Sequence, residues 1–188
     1  MLALDARHLL VALALAACVI VALPAASADA RTRGGDCADT TLDPAPGNLG
    51  RVRAAVLCLH NQERAAHGLP LLRESAKLRR AARSHSNDMV ARDYFDHDTR
   101  GGPDMADRIL RTGYARGQGW SLGENIAWGT GSLATAAEIE RAWMESPGHR
   151  ANILRREFRE IGIGIAAGAP MPGGEDGATY TADFGVRR

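Results

Sequence analysis

Trp143-Met144-Glu145-Ser146-Pro147-Gly148-His149-Arg150-Ala151-Asn152-Ile153-Leu154 is the stretch from which the fold is best read. Upstream of it, Leu133, Ala136, Ile139 and Trp143 recur at three- and four-residue steps, so Ser132 to Glu145 is expected to be one long helix with those four on its buried face. Pro147-Gly148 should end that helix, because proline lacks an N–H and clashes with the preceding turn. His149 then follows a turn signal, which favours exposure in a cleft over burial in a core.

Working toward the N-terminus, Val52, Val56, Leu59 and Ala66 keep a helical period from Leu49 onward, stopped by His67-Gly68 and Pro70. A second helix is expected from an N-cap at Ser75 to about Asp93, with Leu78, Ala82, His85 and Met89 inward. A shorter one runs from Pro103 or Asp104 to Arg111 and closes at Gly113. Working toward the C-terminus, Ile161-Gly162-Ile163-Gly164-Ile165 alternates strictly, so one face of a strand is bare and another element can approach it closely. Thr179 to Val186 and Leu122 to Trp128 are further strand candidates. Helices around a small antiparallel sheet make an α+β domain with layered packing.

Several segments in register say more. Cys58-Leu59-His60-Asn61-Gln62-Glu63-Arg64, Tyr94-Phe95-Asp96-His97, Gly123-Glu124-Asn125-Ile126-Ala127, the Trp143 to Leu154 run, Glu160-Ile161-Gly162-Ile163-Gly164 and Asp183-Phe184-Gly185 together resemble the bacterial branch of the CAP superfamily (cysteine-rich secretory protein, antigen 5, pathogenesis-related 1). The resemblance covers about residues 50 to 186. It implies an α-β-α sandwich with a three-stranded antiparallel sheet between helices, and a secreted or cell-surface location. It also implies a central cavity with a His/Glu/Glu/His tetrad that binds divalent metal in some members. His97, Glu124 and His149 match three of its positions, whereas Ser146 stands where eukaryotic members carry the second glutamate. Glu145 is adjacent, but one residue turns a helical side chain by about 100°.

Read as chemistry alone, two imidazoles and a carboxylate form a first shell suited to zinc, with water at an open position. The alternative is that the three groups simply hydrogen-bond one another, Glu124 being the charged acceptor. Ser146, His149 and Glu124 also have the residue types of a nucleophile, base and orienting acid, but no G-x-S-x-G elbow or HExxH run accompanies them. The expectation is therefore a binding module with a polar cavity at His97, Glu124, His149 and Ser146, holding a divalent metal such as zinc at His97 and His149. A hydrolase acting on peptide or cell-wall substrates and a lipid- or sterol-binding protein are the rivals.

At the N-terminus, Arg7 and His8 precede an apolar run from Leu9 to Leu23, then Pro24 and Ala25-Ala26-Ser27-Ala28. This is the pattern of a secretory signal peptide over residues 1–28. A rival is lipid anchoring through Cys18, which follows Leu15-Ala16-Ala17. Residues 29–48 read as an extended arm, and residues 49–188 as the domain. In an oxidising compartment Cys37 and Cys58 are expected to pair and tie the arm to the first helix, a bridge of about 3 kcal/mol. A net charge of +1 with both signs interspersed gives no electrostatic footprint for nucleic acid. The expected protein is a monomer whose ligand is a lipid, a cell-wall component or a protein.

Overall fold

The computed structural model describes residues 36–116 and 119–187. The signal peptide expected over residues 1–28, and Cys18 with it, lies outside them. In chain order the elements are α1 (Leu49–Ala66), β1 (Arg73–Glu74), α2 (Ala76–Ala91), α3 (Met105–Arg111), β2 (Trp120–Thr130), a 3-10 turn (Gly131–Ala134), α4 (Ala136–Glu145), α5 (Pro147–Ile153), β3 (Glu160–Ala167) and β4 (Gly177–Arg187).

The sheet has the order β1-β3-β4-β2. Its body is the expected antiparallel trio, with β4 central: Glu124 faces Asp183, and Ile163 faces Ala182. One correction is needed to the three-stranded expectation. Arg73 and Glu74 add a short fourth strand, parallel to β3 and paired with Glu160 and Ile161. Two residues carry no alternation from which a strand can be read.

The two faces of the sheet are packed differently. Ile161, Ile163, Ile165, Tyr180, Ala182 and Phe184 bury against Val52 and Val56 of α1, Ile139 and Trp143 of α4, and Ile153 of α5. On the other face a Cβ at Gly162 or Gly164 would run into the backbone of α2 at Leu78–Arg79 or Ala82–Arg83. The Ile/Gly alternation thus lets one helix lie directly on the strand while the opposite face keeps a thick apolar core.

Two sequence readings of the α4 region are corrected. Ser132 to Glu145 is not one helix: Thr135 adopts extended backbone (ψ 154°), its hydroxyl accepts from Glu138 N, and α4 begins only after it. A threonine that can cap has this alternative to continuing the turn. Leu133, assigned to the buried face, is consequently exposed at 57%. Pro147 does not merely end α4 but occupies the first turn of α5, where its missing N–H costs nothing.

The first helix also differs from its reading. His60 is fully buried, stacked on Phe184 and edge-on to Trp143, with its Nδ1 2.5 Å from Glu140 Oε2. Arg64 is buried as well. Its guanidinium donates to the carbonyls of Pro70, Ile153, Arg155 and Phe158. Cys37 and Cys58 are bonded, with Cα atoms 5.7 Å apart, so the arm is fastened to α1 as expected.

Candidate functional site

Glu124 sits on β2 with its carboxylate turned toward the α2 side of the sheet and almost sealed from solvent. Its two oxygens are both engaged. His97 Nδ1 donates to Oε1 at 2.8 Å, and Arg108 Nη2 donates to Oε2 at 2.6 Å. Arg108 comes from α3, whose start is fixed by Asp104 accepting from Asp107 N. The other end of the same guanidinium donates to the His97 carbonyl at 2.7 Å. One arginine therefore holds both the carboxylate and the loop that carries the imidazole.

His97 is oriented but not enclosed, with about half its side chain (51%) open to solvent. The Glu124 hydrogen bond raises its pKa above the ordinary histidine value, against the opposing effect of burial. His149 lies in the first turns of α5, on the other flank of β2. Asn125 Nδ2 donates to its carbonyl, and Asn152 Nδ2 donates to Asn125 Oδ1 and to the Glu124 carbonyl. Those amides tie α5 to the strand. Burial, reinforced by the nearby charge of His97, lowers the pKa of His149. The pair thus divides into one imidazole biased toward the charged form and one biased toward the neutral form.

Sequence reasoning missed two residues here, Arg108 and Asp183. Asp183 is the cross-strand neighbour of Glu124 and is buried at 1% exposure. No donor among the described residues reaches either of its oxygens. Two buried carboxyls side by side cannot both ionise. Burial pushes Asp183 well above the usual carboxylate range, and the adjoining Glu124 charge and hydrogen bond push it further. Burial also works against ionised Glu124, but the His97 hydrogen bond and the Arg108 charge outweigh it and hold that carboxyl below its ordinary value. Asp183 is therefore the member of the pair biased toward the protonated form. The only sequence signal was a lone acid among the small and apolar residues of β4. Nothing distinguished Arg108 from a solvated arginine.

With a folded pKa above the unfolded one, Asp183 contributes most below about pH 4, and that contribution is lost as pH rises through the folded value. Asp183→Asn is expected to raise the urea midpoint at pH 8, with the gain shrinking toward zero near pH 4. Equal destabilisation at both pH values would refute a protonated Asp183.

Ser146 stands at the junction of α4 and α5, half-buried, its N–H bonded to the Trp143 carbonyl and its own carbonyl to Arg150 N. Among the described residues no hydrogen bond joins its hydroxyl to His149, Glu124 or His97, so the geometry assembles no nucleophile–base pair. Glu145 points outward and binds Arg141, as the helical rotation required. His85 is the buried helix residue foreseen, with Nε2 donating to the Asp96 carbonyl at 2.9 Å.

The arrangement fits a divalent metal only in a restricted sense. No group of three or more His, Cys, Asp or Glu side chains among the described residues is placed to hold an ion. Glu124 is spent on Arg108 and His97. What remains is a pair of imidazoles, one of them oriented by a hydrogen-bonded carboxylate, as metal-bound histidines commonly are. The fit is to an open site completed by solvent or ligand, not to a closed structural one.

A polar core linking a loop histidine, a strand glutamate and a helix-start histidine across the edge of such a sandwich defines a class. The sequence model of the cysteine-rich secretory protein family (CAP) matches residues 57–172, and the chain belongs to that family. It is 35% identical over 146 residues to the uncharacterized protein YkwD of Bacillus subtilis (strain 168), covering 77% of this chain and 51% of that one. A crystal structure of an extracellular protein containing an SCP domain from Bacillus anthracis str. Ames superposes with a TM-score of 0.59 at 28% identity, over 77% of this chain and 44% of that one. An outer surface protein from Borrelia burgdorferi shares the fold, with a TM-score of 0.58 at 16% identity over 77% of this chain and 96% of that one. The chain thus spans about half the length of these two Bacillus relatives.

Proposed function

We propose that this CAP protein is an extracellular or cell-envelope binding module whose ligand is met by His97 and His149, a divalent metal such as zinc being the ligand the pair suits. The observation that carries this reading is the double engagement of Glu124. A carboxylate held by Arg108 on one oxygen and His97 on the other is a positioning group, unavailable as a general base. Its effect is to fix the His97 ring with Nδ1 occupied, so that Nε2 is the nitrogen offered to a ligand. His149 supplies the second donor in its neutral, metal-competent form. A bound ion would add positive charge and a Lewis-acidic, solvent-completed position; this chain's residues supply orientation and little else. Export is supported by the Cys37–Cys58 bridge and by the extracellular protein from B. anthracis among its structural relatives.

Calorimetric titration of the full chain with zinc, beside a His97→Ala/His149→Ala double variant, tests this. One-to-one binding near about 10 μM or tighter that disappears in the variant is the expected result. Absence of heat from folded wild type would remove the metal from the reading.

A further inference from the structure

Arg108 also lines a recess of about 330 Å³ between α2 and α3. Residues 80, 84, 85 and 88 of α2 follow one helical face into it, and residues 108, 111 and 112 of α3 face them. Its walls carry Arg80, Ser84, His85, Arg108, Arg111 and Thr112.

The charge balance of this recess is unusual. Arg108 is neutralised by Glu124. Asp88 also lines the recess; its Oδ2 accepts from the Tyr94 hydroxyl at 2.5 Å and from Arg92 at 3.3 Å, which balances its charge and leaves Oδ1 open. The side chains of Arg80 and Arg111 have no hydrogen bond or ion pair with any described residue. Two guanidinium groups without a partner among the described residues therefore flank a concavity whose one acid, Asp88, is already balanced by Arg92, and this net positive charge is one that an anion relieves. The wall also contains unsatisfied buried polar atoms, Arg108 Nε and His85 Nδ1. The first is a donor. Since His85 Nε2 donates to the Asp96 carbonyl, Nδ1 of the neutral ring is an acceptor. Buried groups of this kind are ordinarily satisfied by water or a ligand.

We infer that the recess between α2 and α3 binds a phosphate monoester, its dianion held by Arg80 and Arg111 and its polar body lying toward Ser84 and Thr112. Two uncompensated positive charges match a dianion better than a carboxylate. The volume exceeds what a lone phosphate fills, so the group arrives on a small polar molecule or on a lipid headgroup. The recess shares Arg108 with the Glu124–His97 cluster but would hold its anion without His97 or His149.

The test titrates the full chain with inorganic phosphate and with glycerol 3-phosphate at constant ionic strength, and measures co-sedimentation with phosphatidylcholine vesicles containing or lacking phosphatidic acid. Wild type and the His97→Ala/His149→Ala variant are both expected to bind glycerol 3-phosphate in the range of about 1 mM or tighter. Arg80→Ala/Arg111→Ala is expected to lose at least about tenfold with an unchanged melting curve, because neither side chain has a partner among the described residues. Binding to phosphatidic acid vesicles alone, abolished by the arginine changes, assigns the site to a headgroup. No binding in any arm, or binding indifferent to Arg80 and Arg111, overturns the inference.

Discussion

Arg64→Ala is expected to cost about 3 to 5 kcal/mol, a large part of the stability of a domain this size. The guanidinium is wholly buried and serves four carbonyls drawn from three places: Pro70 after α1, Ile153 and Arg155 at the end of α5, and Phe158 before β3. Burial and the charge of Arg159 lower its pKa to about 10, so it remains a cation at neutral pH. Truncation leaves those carbonyls without donors and opens a cavity where the stem had packed. Arg64→Lys should recover only part of the loss, since a single ammonium cannot reproduce the planar fork. Arg141→Ala is the control. That side chain is exposed and pairs with Glu138 and Glu145, and its removal should leave the urea midpoint nearly unmoved. A midpoint for Arg64→Ala close to that of wild type would show that the carbonyls find other partners.

The second large effect is expected at Gly164. A methyl group there would occupy the backbone of Ala82 and Arg83, so Gly164→Ala must push α2 away from β3. Forcing a helix off its sheet should cost about 3 kcal/mol, toward the upper end of overpacking penalties. The change would also be felt at the site, because α2 carries His85 and closes the face on which Glu124 and Asp183 lie. Gly50→Ala, in the first turn of α1 with open space around it, is the matched control and should gain a few tenths of a kcal/mol. Thermal melts of the two variants compare them directly. A Gly164→Ala protein melting with wild type would mean that the close approach is not required.

Local sequence accounted for much of the architecture. The period of Val52, Val56, Leu78, Ala82 and Met89 set two helices, and the Ile/Gly alternation predicted both β3 and the close approach to its glycine face. Turn signals put His97 and His149 outside the long helices and the strand candidate Leu122 to Trp128 carried Glu124, but the short helix α5 that holds His149 was not read. These features depend on neighbours within a few residues, and such signals survive in the order of the chain.

Other features were decided only by packing. Whether Thr135 continued a helix or capped a new one depended on local competition that periodicity does not weigh. His60 and Arg64 look like the polar face of α1 until α4, α5 and β3 close over them. The site changed most. A glutamate that the sequence left open, as metal ligand or as charged hydrogen-bond acceptor, has both oxygens committed once α3 brings Arg108 to it, and the register of β4 sets Asp183 beside it. The sequence by itself determined which chemical groups this protein owns and the elements that carry them. Tertiary structure alone decided which were paired, because charge, burial and hydrogen bonding are fixed by neighbours far apart in the chain.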